Sequence, residues 1–192
     1  MPTIDDGTGK GKAAEVDGRH RLKTRAVSET ATQAANDLGD AYNINTGTVT
    51  ISATTALIYY KNTGANDFVL DAIALGVGAG TFDGSLTLTV IRNPTTGTII
   101  DGGAAVDMNQ NRNFSSTQSL SADIFKGASG NTFTNGADIA QFFTSGQGRL
   151  FATVDFVIPQ GASFGLRLDP NLTSGSVDVY AALIGHERDS VE

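Results

Sequence analysis

The sequence has no cysteine and no tryptophan, only two histidines, four prolines and four tyrosines, and no run of eighteen apolar residues. The missing cysteine excludes disulfides, thiolate nucleophiles and sulfur-ligated metals together. Stability has to come from a packed core, from bound ions or from association. Without a long apolar run a transmembrane helix is not expected. Residues 1–14 lack the apolar stretch of a secretory signal, so the chain is expected to be made in the cytoplasm. Charge is scarce as well: Asp, Glu, Lys and Arg make up 17% of 192 residues, so Thr, Ser, Asn and Gly must build most of the surface. That balance suits an all-β protein, in which Thr fits the pleated surface and Gly and Asn supply turns. The length allows one sizeable domain with an arm, or two very small domains.

What charge there is lies unevenly. The net value is −7, which argues against nucleic-acid binding by the whole domain. Six of the thirteen Lys and Arg (Lys10, Lys12, Arg19, Arg21, Lys23 and Arg25) fall in the first 26 residues, beside four acids, Asp5, Asp6, Glu15 and Asp17. The opening therefore carries +2 (six minus four) and the remainder −9 (seven minus sixteen). Residues 1–20 show no apolar period and cannot bury enough surface to offset their own ordering entropy. They read as an extended arm, with the folded domain over 21–192.

From Arg21 the text alternates. "RLKTRAVS" reads as a strand with one charged face, and "TATQAANDLGD" as a polar connection with a short helical turn. "AYNINTGTVTIS" reads as a hairpin turning at Thr46-Gly47, and "TALIYYKNTG" as a buried strand. "DFVLDAIALGVG" and "GSLTLTVIRNP" are further strands, and "TGTIIDGG" a short return strand. "GRLFATVDFVIPQGASFGLRLDPN" reads as two strands joined at Pro159-Gln160-Gly161, and "GSVDVYAALIGHE" as the last. Nine or ten strands spaced every 8–12 residues, with almost no helix between them, imply an antiparallel β-sandwich of jelly-roll type and exclude βαβ units. Between Asp101 and Gly148 lies an Asn/Ser/Gly-rich excursion with scattered Phe114, Phe125, Phe133, Phe142 and Phe143. A structureless loop of that length is improbable, so short strands with a small apolar cluster are expected, the Phe rings acting as core plugs. Thr48, Thr50, Thr87 and Thr89 read as ordinary solvated sheet.

Catalytic and ligand motifs fail one after another. "GTGKGK" lacks the phosphate-loop spacing: Asp6 stands five before Gly11, Ala13 follows Lys12, and no strand precedes. "DMNQNRN" places Asp107, Asn109 and Asn111 as a calcium loop would, but Arg112 and Gln118 occupy the positions that need Gly and Glu. His20 lies in the arm, and His186 stands in "HERDSVE", which reads as a fraying end. Neither is placed for acid–base or triad chemistry. A carboxylate pair of the glycosidase kind leaves no trace in sequence, but the lack of Trp leaves poor material for a sugar platform. No enzymatic activity, cofactor or metal is expected.

Asp6-Gly7-Thr8-Gly9, Ala14, Val16, Arg21-Leu22, "AVSET", and then Tyr42, Ile44, Thr46, Gly47 and Leu57 to Asn62 carry a likeness over about residues 5–75. The pattern resembles a group of tailed-bacteriophage virion structural proteins, in which a Gly-x-Gly arm and an Arg-Leu strand precede a Tyr-x-Ile-x-Thr-Gly hairpin. The resemblance implies a β-sandwich component of the virion, and a capsid decoration or cement role is the leading expectation. The arm would strap it to the major capsid protein or another virion protein through Lys10, Lys12, Arg19, Arg21, Lys23 and Arg25. Twenty extended residues span roughly 65 Å at about 3.3 Å each, enough to cross between capsid subunits. A homo-oligomer, dimer or trimer, is expected, with neither nucleic acid nor membrane as partner. Two alternatives stand beside it: a tail, collar or baseplate component, and a host-surface glycan-binding adhesin module with a groove near Phe114 to Phe143.

Overall fold

Antiparallel pairing dominates the computed structural model, which describes residues 3–5, 13–15, 30–95, 97–102, 104–106 and 110–188. The chain divides into two units, residues 1–30 and 31–192. In the first, β1 (Thr3–Asp5) pairs antiparallel with β2 (Ala13–Glu15), Ile4 opposite Ala14. Three-residue strands are too short to leave a period in the sequence. The strand expected from Arg21 lies outside the described residues.

The second unit opens with α1 (Ala31–Leu38), followed by β3 (Ala41–Ile51), β4 (Thr55–Asn62), β5 (Asp67–Val77), β6 (Thr81–Phe82) and β7 (Leu86–Arg92). An insertion then supplies α2 (Thr98–Gly102), β8 (Ala104–Ala105) and β9 (Ala122–Lys126). The chain returns through β10 (Ala137–Thr144), β11 (Gly148–Ile158), β12 (Ser163–Asp169), β13 (Leu172–Ser174) and β14 (Val177–Arg188). One sheet has the order β10-β7-β12-β4-β9-β8 and the other β11-β5-β14-β3, while β13 and β6 form a small ribbon.

The eight long strands are nested. β3 pairs with β14, β4 with β12, β5 with β11 and β7 with β10, every pair antiparallel. First meets last, second meets second-to-last, and so inward, which is a long antiparallel ribbon rolled into two packed sheets: a jelly roll. The expected all-β sandwich is therefore the fold. Pro159-Gln160-Gly161 does join two strands, but β11 and β12 belong to different sheets, so the turn crosses the sandwich. Asn62 holds that crossing. It is 1% exposed, and its Nδ2 donates to the Ile158 and Asn66 carbonyls while its Oδ1 accepts from Gly64 N–H.

Strand alternation builds the core. Leu86, Leu88 and Val90 of β7 and Leu166 and Leu168 of β12 point into it from one sheet. Leu70, Ile73 and Leu75 of β5 and Val179, Ala181 and Leu183 of β14 meet them from the other. Each fully buried Leu contributes roughly 1.5–3 kcal/mol through removal from water.

Three local readings are corrected. Thr46-Gly47 does not turn a hairpin, because β3 runs unbroken to Ile51. The two residues face the single Ala181 of β14, between the pairs Asn45–Ala182 and Thr48–Tyr180. This is a β-bulge: Gly47 takes φ 62°, and Ala181 N–H donates to Thr46 Oγ1 at 3.0 Å. "TGTIIDGG" contains a helical turn, α2, rather than a strand. Its Ile99 drops into a separate cluster with Ala56 and Tyr59. The polar run after Thr30 holds a helix of eight residues, longer than a single turn.

Leu166 is fully buried between the sheets. Leu166→Ala should cost about 2–5 kcal/mol, transfer and cavity terms together. A urea titration checks this through a lower midpoint at unchanged slope; an unshifted midpoint would take Leu166 out of the core.

Candidate functional site

The six arm cations singled out above, Lys10, Lys12, Arg19, Arg21, Lys23 and Arg25, lie outside the described residues, as do His20, Asp107 and Asn109. The candidate surfaces that can be built residue by residue belong to the second unit.

Sheet edges come first, because an uncovered edge presents unpaired backbone donors and acceptors to any other chain. On one side of the sandwich the edges are covered in part. Residues 110–112 run along β3: Asn43 N–H donates to Gln110 O at 3.0 Å and Arg112 N–H to Ala41 O at 2.8 Å. Asn45 Nδ2 adds a bond to Gln110 Oε1 at 2.9 Å. The edge of β4 is taken by β9, and β9 by β8. On the opposite side β10 and β11 each end their sheet, and among the described residues no strand lies beyond them.

Both strands are long and both carry exposed apolar side chains. Ile139 and Phe143 of β10, and Phe151 and Val157 of β11, are 43–65% exposed. Each strand also has one bulge, at Ile139 in β10 and at Val154-Asp155 in β11. Bulges twist an edge and interrupt pairing, which leaves Ala140–Thr144 and Gly148–Thr153 as the regular, open stretches. The scattered phenylalanines therefore divide. Phe125, Phe133 and Phe142 are core plugs, as expected, whereas Phe143 and the fully exposed Phe114 are not.

A second surface lies where α1 rests on the outer face of the four-stranded sheet. His186, expected at a fraying end, is instead 6% exposed within β14. Its Nδ1 lies 3.1 Å from Asp71 Oδ2 on β5, and Thr32 Oγ1 of α1 donates to the same oxygen at 3.4 Å. The carboxylate stands between the other two groups, so Thr32 is not joined to the imidazole as a nucleophile is to its base. The trio ties the helix to two strands. Among the described residues no group of three or more His, Asp or Glu is arranged to hold a metal ion, and no helix is long and apolar enough to cross a membrane.

One residue on, Glu187 faces the other way. Its carboxyl is raised above the usual carboxylate range, first by burial and then by the nearby Asp40. The same end of the core buries the Tyr60 hydroxyl without a hydrogen-bond partner and sets the Tyr42 hydroxyl beside the Glu187 carboxyl. Burial is also the first cause of the raised pKa of both phenols, with Glu187 charge second. A carboxyl raised on folding binds its proton more tightly in the folded chain. Its penalty is therefore complete above the folded value and relieved as pH falls toward 4.5, the ordinary Glu value. Glu187→Gln should raise the melting temperature at pH 7 and lose that advantage by about pH 4.5. A melting series across that window checks it, and equal curves at both ends would remove Glu187 as a source of strain.

No protein-family model matches this chain, and no curated protein matches it.

Proposed function

We propose that the chain is a structural component of a tailed-phage virion, a decoration or cement protein seated on the outer surface of the head. The observation that carries the reading is the uncovered side of the jelly roll. Two long edge strands, β10 and β11, offer open backbone and exposed Phe143, Phe151 and Val157, while the opposite side is capped in part by the two-residue β8 and by the bridge from Asn111 to β3. Such a surface is an aggregation liability for a free protein and an asset for one that works in an ordered assembly.

The sequence supports the same reading. The likeness to phage virion proteins spans the arm and the first long strands. The basic opening and the acidic remainder suit a strap on an acidic shell with the sandwich outward. The partner is the major capsid protein or another virion protein, and copies associate as dimers or trimers at symmetric sites. The role requires no catalysis, cofactor, nucleic acid or membrane, and its place is the virion, assembled in the host cytoplasm.

Binding to phage heads that lack the protein, counted per particle by cryo-electron microscopy, tests this. Hundreds of copies in icosahedral order are expected for the full chain. Deletion of residues 1–20 should abolish binding, and Phe151→Lys with Val157→Lys should reduce it at least tenfold without unfolding the sandwich. Saturation by the truncated chain would remove the strap. A few copies confined to one vertex or to the tail would relocate the protein to the tail, collar or baseplate.

A further inference from the structure

The outer face of the six-stranded sheet is only partly open. The insertion between β7 and β10 folds back over it, and the Phe133 ring packs where Gly165 of β12 has no side chain, with Pro94 beside it. A Cβ on Gly165 would meet that ring at 2.8 Å, so this glycine makes the close approach possible. The loop is fixed beside that ring by Thr132 N–H, which donates to Thr98 Oγ1 at 3.0 Å. What remains open is a groove of about 480 Å³, with Phe133 on one wall and Phe143 on the other. That size lies within the range of small-ligand sites.

Cross-strand register sets the floor. Thr89 of β7 stands between Gln141 of β10 and Arg167 of β12, and Thr87 stands between Phe143 and Asp169. The two rows are separated by two residues along the strand, and neighbours within a row by one strand spacing of about 4.8 Å. Thr89, expected to be solvated, is 3% exposed and lines the groove. Its hydroxyl has no hydrogen-bond partner among the described residues, and neither do the Thr87 hydroxyl and the Gln141 amide. The Thr89 hydroxyl therefore opens onto the groove floor without a protein partner, a position for a ligand group or a water.

The lining also selects the ligand. Its free groups are neutral hydroxyls and an amide. The one cation, Arg167, is paired with Asp138 at 2.9 Å, and Asp169 adds a carboxylate to the lining, so the groove disfavours an anion. Floor backbone is consumed by sheet pairing on both sides and offers no ladder to a peptide. Two phenyl rings supply apolar faces, and the hydroxyl and amide groups match a ligand rich in hydroxyls. We propose that this groove binds a neutral pyranose glycan, the rings packing on the C–H faces of the sugar and Gln141, Thr87, Thr89 and Arg167 meeting its hydroxyls. Trp is absent, but Phe133 and Phe143 take the platform role. The site uses a sheet face rather than the β11 edge and holds whether or not the chain decorates a phage head.

The test is the full chain against immobilised neutral glucans, galactans and mannans, with sialylated and sulfated glycans and a peptide library beside them. Retention on at least one neutral glycan is expected, in the micromolar to millimolar range. Gln141→Ala and Phe143→Ala, both at exposed positions, should weaken it at least tenfold at unchanged melting temperature. Thr89→Val should weaken it similarly while keeping or raising the melting temperature, because the hydroxyl it removes has no partner in the protein. Silence on every neutral glycan, retention on anionic glycans or peptides alone, or binding unaffected by the three substitutions would each overturn the proposal.

Discussion

The pairing of β3 with β14 is the constraint on which the other strand pairs depend. It joins the first long strand of the sandwich to the last, and β14 lies between β3 and β5. The four-stranded sheet cannot exist until the end of the chain arrives. Nested pairs leave almost no local contacts to nucleate on, and topologies of that kind fold slowly because loop closure precedes the contacts that reward it. The bulge at Thr46-Gly47 belongs to this seam. Its hydrogen bond from Ala181 N–H to Thr46 Oγ1 keeps the long ladder in register across a change of twist. On the other side of β14, Gly185 pairs with Leu70 past a second irregularity at Asp71. From there Asp71 reaches His186, so the interruption of the ladder is what points the carboxylate at the helix.

Rolling a ribbon in this way also decides where the chain can afford an insertion. The connection from β7 to β10 is the innermost turn of the nest, and lengthening it disturbs no other pair. Here it leaves β7 and spans the sheet's outer face. Ile99 is set against Ala56 and Tyr59, and the insertion then adds β9 to the far edge of β4. One excursion thereby adds strands to the edge of β4, packs on part of an outer face and walls the groove beside it. That is a physical reason for an Asn-, Ser- and Gly-rich segment of such length in a compact fold: its polar side chains cap loops, and its few apolar ones are anchors.

Much of the fold was legible because period-two patterning survives wherever a strand is regular. Leu86, Leu88 and Val90 against Thr87 and Thr89 is such a stretch. Legibility failed where the ladder is irregular or the partner is distant. Thr46-Gly47 has the same local composition as a turn, and only the single Ala181 opposite shows that it is a bulge. Ala137–Thr144 hid as a strand because the bulge at Ile139 and the adjacent Phe142-Phe143 break the alternation. His186 and Glu187 look like a frayed tail in one dimension, yet they pair with Val69 and Phe68 and face opposite layers. Thr89 differs from Thr48 because β7 has a neighbour on both sides, with Gln141 and Arg167 flanking Thr89, while β3 ends its sheet.

β10 couples the two surfaces. Its backbone forms an open edge, while Gln141 and Phe143 on its outer face belong to the groove. A strand added to that edge would bring its own side chains alongside Phe143 and extend the groove wall by one strand spacing. Pairing at β11 would leave the groove as it is, because β11 belongs to the other sheet. The two edges are therefore not equivalent as assembly surfaces. Contact through β11, where Phe151 and Val157 stand exposed, is compatible with a free groove. Contact through β10 ties the shape of the groove to assembly, so a ligand that fits only the narrower or only the wider groove would shift association in the corresponding direction.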